Sequence, residues 1–288
     1  MNPSVTIQEA LLDPFRPLFM QRALVEVLVL AVPAGLLGAW VVTRLLAFVT
    51  HSVGHATFPV LVIAVLAGWS LFASSLIAAV VLALGLAWLA RTRELGGGVA
   101  VAIVLAASLA LGAVLVSDVS DPGLRANTLL FGSLLAIGWD EVLRTATVAV
   151  AAVACTLAFG RRMAAATFHE ELATVDGLRV RVLDGGLMVL LAATVAVGIA
   201  AAGSLLVASL LLVPSATARF VTRRLVPLML AGVAFAAFDG VAGLLVAFHL
   251  DAPPGAGIAA VAAGVFALVA AASAWHARRS RQLVAIPN

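Results

Sequence analysis

The chain alternates long aliphatic stretches with short polar breaks, and the breaks fall at intervals that suit membrane crossings. A helix needs about 20 apolar residues to span hydrocarbon. Residues 1–20, ending in Pro14-Phe15-Arg16-Pro17, read as a surface segment, and residues 21–43 form the first span. After Arg44 a second apolar stretch runs to about Phe72, and residues 74–89 return. Arg91, Arg93 and Glu94, with Gly96-Gly97-Gly98, make the next turn, and residues 99–116 cross again. Residues 117–125 hold two aspartates, a proline and a glycine, and read as a loop. Residues 129–137 are apolar but too short to cross, so they predict a partial or re-entrant helix. Residues 140–159 cross back and end at Arg161-Arg162, and 161–184 is the longest polar interval. Four further apolar stretches follow, at 185–201, 203–218, 225–249 and 257–275, with a weakly marked division at 201–203. The pattern predicts an all-α polytopic membrane protein of about eight to nine transmembrane helices, forming one domain over residues 1–288.

Composition agrees. Of 288 residues, 64% are hydrophobic and 11% charged, with mean hydropathy +1.17. A soluble domain is nearer half apolar and a quarter charged. All 17 basic residues are arginines, gathered in short clusters between apolar stretches, which is the pattern of cytoplasmic loop ends and not of a nucleic-acid surface. Placing Arg44, Arg91/Arg93, Arg161/Arg162, Arg179/Arg181, Arg219/Arg223/Arg224 and Arg278/Arg279/Arg281 inside puts the N-terminus outside the plasma membrane and the C-terminus in the cytoplasm. The first residues carry Glu9 and Asp13 in place of a basic leader, so no cleavable signal peptide is expected. The single cysteine, Cys155, can form no internal disulfide.

Within this apolar sequence, His51 and His55 stand four residues apart. On a helix, i and i+4 share a face, and a neutral imidazole is a good ligand for zinc and related metals. Counted from Arg44 at 1.5 Å per residue, they lie roughly 10–16 Å into a core about 30 Å thick. A boundary position or a hydrogen bond to a carbonyl is the simpler alternative for either ring. Gly54 and Pro59 predict a bend or break here. Other polar residues fall inside spans. Glu26 is spaced to pair with Arg22 on one helix face. Asp239 is a candidate for orienting a metal ligand or for a helix–helix hydrogen bond. His249 and Asp251 fall at the outer end of their span. Gly35, Gly38 and Gly198 read as close-packing positions.

Residues 205–219, Leu-Leu-Val-Ala-Ser-Leu-Leu-Leu-Val-Pro-Ser-Ala-Thr-Ala-Arg, closely resemble a signature of the permease subunit of bacterial ABC importers for zinc, manganese and iron. Phe131-Gly132-Ser133-Leu134 with Asp140, the stretch 168–177, and Asp251-Ala252-Pro253-Pro254-Gly255 resemble three more of its segments. The resemblance runs from about residue 19 to 275. It implies two copies of this permease, a separate cytoplasmic ABC ATPase, and an extracytoplasmic metal-binding protein that delivers the ion. No cofactor is expected to be held permanently; the metal is cargo. It also implies that 161–184 contains a coupling helix docking into the ATPase, with Glu170, Glu171, Ala173 and Gly177 at the contact. The family's metal path carries Asp and His at the positions of His51 and His55. A second imidazole in place of the hard carboxylate shifts the preference toward zinc. His51, His55, Asp239 and His249 are the candidate metal residues.

Two other readings compete. An ion-coupled secondary carrier would use Asp239 and Glu26, and is expected to show inverted repeats. An intramembrane metalloenzyme would need a general base beside the histidines, but Ser52 stands where the HExxH motif has Glu. No phosphate-loop motif occurs, so ATP hydrolysis belongs to another chain.

Overall fold

A computed structural model describes residues 13–89, 97–117, 134–168, 170–175 and 177–284. Regular structure among these residues is entirely helical. The α-helices are α1 (Leu18–Thr43), α2 (Ala47–Ala56), α3 (Phe58–Ala67), α4 (Leu71–Leu89), α5 (Gly97–Ser117), α6 (Trp139–Phe168), α7 (Glu170–Val175), α8 (Val180–Ala202), α9 (Ser204–Val221), α10 (Leu225–His249) and α11 (Pro254–Val284). Short 3-10 turns occur at Asp13–Phe15 and Leu134–Ala136.

Six helical segments are long and apolar enough to cross a membrane: α1, α2 with α3, α6, α8, α10 and the first part of α11. The apolar parts of α4, α5 and α9 are shorter. The predicted count of eight to nine therefore depends on whether these shorter helices span. Of the predicted partial helix at 129–137, residues 134–136 form one 3-10 turn, and 129–133 lie outside the described residues.

The polar interval is more helical than its composition suggests. α6 runs through Arg161 and Arg162 to Phe168, 30 residues in all, and α8 begins at Val180. Alanine and arginine are strong helix formers, so leaving the hydrocarbon does not end a helix. Gly203, at φ +83, divides α8 from α9 where the sequence marked a weak boundary.

α1 is the central strut. Its Glu26 and the residue capping its C-terminus, Arg44, contact Thr145 and Thr167 of α6, so those helices run parallel. Val27 lies against Gly240, and Gly35 against Val233, so α10 runs antiparallel to α1. A Cβ at Gly35 would collide with backbone atoms of Gly232 and Val233, so only glycine permits this approach. Without a hydrophobic drive between helices in lipid, such close backbone packing is a main source of association. Two apolar clusters follow: one around Trp40 joins the second half of α1 to α2, α4 and α8, and one around Leu30 joins its first half to α6, α9, α10 and α11. The helix directions bring Arg44, Arg179, Arg181, Arg219, Arg223 and Arg224 to one end of the bundle, and His249 to the other.

Candidate functional site: the histidine helix and the arginine-rich end

α1 stops in a tight turn. Leu45 adopts φ 56, and the N–H of Leu46 reaches back to the carbonyl of Val41 at 2.9 Å. α2 starts at once, and the Thr50 hydroxyl donates to the Leu46 carbonyl at 3.0 Å. Thr50, Ser52, Val53, Ala56 and Thr57 are buried, while Phe48 is exposed. At 100° per residue these positions put the packed face of α2 opposite the side that carries positions 51 and 55. Gly54 lies beside Val195 of α8. The His55 side chain is half-buried; the His51 side chain lies outside the described residues, and its backbone is helical.

The predicted break follows directly. Pro59 has no N–H to give to the carbonyl of His55, and Thr57 separates α2 from α3, its hydroxyl donating to the Gly54 carbonyl at 2.7 Å. Phe58 then packs under Gly112 of α5. The two histidine positions thus stand at the end of a short helix, one turn before a proline-induced bend.

The other candidate residues do not gather around this pair. Asp239 is fully buried in α10, yet neither carboxylate oxygen has a hydrogen-bond partner among the described residues. Among the described residues Asp239 makes neither a helix–helix hydrogen bond nor a bond to a histidine. His249 lies ten residues further along the same helix, about 15 Å away by helical rise. It is exposed, and its Nδ1 lies 2.8 Å from the Leu245 carbonyl. A carbonyl can only accept, so Nδ1 donates to it. Asp251, at φ 49, is exposed in the following turn. Among the described residues, no three His, Cys, Asp or Glu side chains come together as a metal cage.

Glu26 corrects a second expectation. It is fully buried and accepts a hydrogen bond from the Thr145 hydroxyl at 2.6 Å, and no ion pair joins it to Arg22. Arg22 instead lies over the Trp139 ring, 5.9 Å from its centroid. Helix packing brings Thr145 of α6 to Glu26 and Trp139 to the Arg22 guanidinium.

At the arginine-rich end, α7 is a six-residue helix against α6 and α8. Ala173 is buried with Ala166 and Val180, so its small size serves the chain's own packing. Glu171, Val175 and Gly177 are exposed, Val175 at 84%. Glu170 begins the helix. A Cβ on Gly177 would meet nothing within 4 Å, so its glycine is required by φ +75 and not by close approach. His169 and Asp176 lie outside the described residues.

Sequence reading missed the network that ties this end together. Arg44 Nη1 donates to Asp184 Oδ1, Nε to Thr167 Oγ1 at 2.8 Å, and Nη2 to the Met163 carbonyl at 3.3 Å. Its partners are more than a hundred residues away, and no local spacing signals them. An apolar cavity of about 210 Å³ lies nearby between α6 and α8, lined by Cys155, Phe159 and Leu187 among others, with none of its wall from α2.

Comparison with known proteins places this geometry. The chain is 28% identical over 250 residues to the manganese transport system membrane protein MntC of Halalkalibacterium halodurans, covering 87% of this chain and 86% of that one. It is 24% identical over 246 residues to the high-affinity zinc uptake system membrane protein ZnuB of Haemophilus influenzae, covering 85% and 94%. Its fold matches PsaBC from Streptococcus pneumoniae, solved in complex with Fab, at a TM-score of 0.81 and 24% identity, covering 92% of this chain and 95% of that one. The family model described as the ABC 3 transport family matches residues 17–273. The chain belongs to the ABC 3 transport family, as a membrane transport subunit and not an enzyme.

Proposed function

We propose that this chain is the permease of an ABC importer for a divalent metal, with zinc as the preferred cargo. The observation that carries the reading is the register of α2. Its aliphatic and hydroxyl side is packed against the chain's own core, which turns positions 51 and 55 outward from that core. In an isolated subunit that side faces lipid; in a two-fold pair of copies it faces the pathway. Relatives named for manganese and zinc transport support a divalent cation as cargo. Two imidazoles, with no carboxylate between them, favour the softer zinc ion over manganese. Two donors per chain hold an ion weakly enough to release it, which suits a transport path better than a closed cage.

The arginine-rich end faces the cytoplasm in this reading, with the N-terminus outside and the C-terminus inside. The ATPase docks on α7, through Glu170, Glu171 and Val175 and the turn at Gly177, while Ala173 seats the helix on the permease. The metal-binding protein delivers at the opposite end, beside His249 and Asp251. Asp239, buried and about 15 Å from that end by helical rise, is not part of the delivery site. ATP-driven motion at α7 closes the outer gate and opens the inner one. The test is metal uptake and metal-dependent ATP hydrolysis in the reconstituted complex, compared across zinc, manganese and iron. Zinc is expected to be transported best. Equal or better manganese transport at equal free metal refutes the cargo assignment.

A further inference from the structure

We infer that Arg44 is the positioning residue that transmits motion of the coupling segment to the histidine helix. This rests on the proposed docking of the ATPase at α7. Three observations converge. The Arg44 guanidinium spans two separate helices: Asp184 in the second turn of α8, and Thr167 and the Met163 carbonyl at the end of α6. Those are the two helix ends that flank α7, so a displacement of α7 reaches both anchors of the fork. The Thr167 hydroxyl that accepts from Arg44 itself donates to the Met163 carbonyl at 2.6 Å, which locks the acceptor in place.

Second, the fork is sheltered. Arg44 is 13% and Asp184 25% exposed, and the guanidinium lies 5.7 Å from the Trp40 ring centroid. Arginine's planar set of donors fits three acceptors at once, which a lysine ammonium on a flexible stem cannot match. Third, the link from Arg44 to α2 is short and stiff. Only Leu45 and Leu46 intervene, and Leu45 holds a left-handed backbone, φ 56, normally taken by glycine at a helix end. Unusual backbone of this kind persists only where its surroundings enforce it. The Leu46 carbonyl accepts the first bonds of α2, from the Thr50 N–H and hydroxyl. Position 51 follows immediately. A shift of α6 and α8 relative to α1 therefore moves the root of α2 and tilts positions 51 and 55 about the bend at Thr57.

The test uses the complete permease–ATPase complex with its binding protein, in proteoliposomes loaded with zinc outside. Arg44→Lys and Asp184→Asn are compared with wild type for zinc transported per ATP hydrolysed. A transmission role predicts that ATP hydrolysis persists while this ratio falls by about tenfold, within the usual range of coupling between sites. An unchanged ratio, or a proportional loss of hydrolysis and transport, overturns the inference. If either variant fails to assemble, Thr167→Val removes one acceptor without stranding a charge, and the same ratio decides. Val175→Asp, run in parallel, tests the docking reading alone: wild-type assembly and hydrolysis in that variant refute docking at α7, whatever the Arg44 variants do.

Discussion

The turn after α7 offers a perturbation whose cause is confined to one backbone angle. Gly177 sits at φ +75, and the Leu178 N–H bonds the Ala173 carbonyl at 3.0 Å. That six-to-one bond is the hallmark of a Schellman cap, and Leu178 completes it by packing on the Ala166, Ala173 and Val180 cluster. A Cβ at 177 meets no atom within 4 Å, so substitution acts through φ and not through a clash. A left-handed conformation costs an L-residue about 1–2 kcal/mol. That corresponds to about a 5–30-fold loss in the population of the closed turn. Asparagine tolerates this region far better than a β-branched residue. The expected order of zinc transported per ATP is therefore glycine, then Gly177→Asn close behind, then Gly177→Ala, with Gly177→Val lowest. The assay is the reconstituted complex, with its yield measured alongside. If the alanine and valine variants match wild type, the turn does not position the docking helix. If asparagine is as harmful as valine, added size and not backbone angle is the cause, and the reasoning fails.

Three further outcomes are expected. Changing His51 and His55 together to alanine abolishes metal uptake while the complex still purifies with its ATPase, as measured by transport and co-purification; full uptake removes the site. His51→Asp raises manganese relative to zinc transport, because a carboxylate is the harder ligand, and an unchanged preference in competition uptake discredits the ligand argument. Gly35→Ala forces α1 and α10 apart and lowers the thermal stability of the purified permease, by about 1–3 kcal/mol for an overpacked contact; Gly264→Ala, where a Cβ meets nothing within 4 Å, leaves it unchanged.

The class of molecule, most of the helices and the family were legible from residue order alone. Hydrocarbon tolerates only backbone satisfied within its own helix, so apolar length translates almost directly into structure. The bend at Pro59 was legible and the division at Gly203 only weakly so, although each is a local backbone requirement. The extent of α6 was not: its arginines interrupt the apolar pattern, while its alanines keep the helix going. The pairing of Arg22 with Glu26 was misjudged for a different reason. Spacing along one helix permits a contact, but Thr145 and Trp139, brought in by α6, compete for both groups. Tertiary packing alone leaves Asp239 buried without a hydrogen-bond partner among the described residues, turns Ala173 inward, and lets Arg44 join α1 to α6 and α8. The Arg44 contacts join residues more than a hundred positions apart, and no local pattern of side chains encodes how their helices come together.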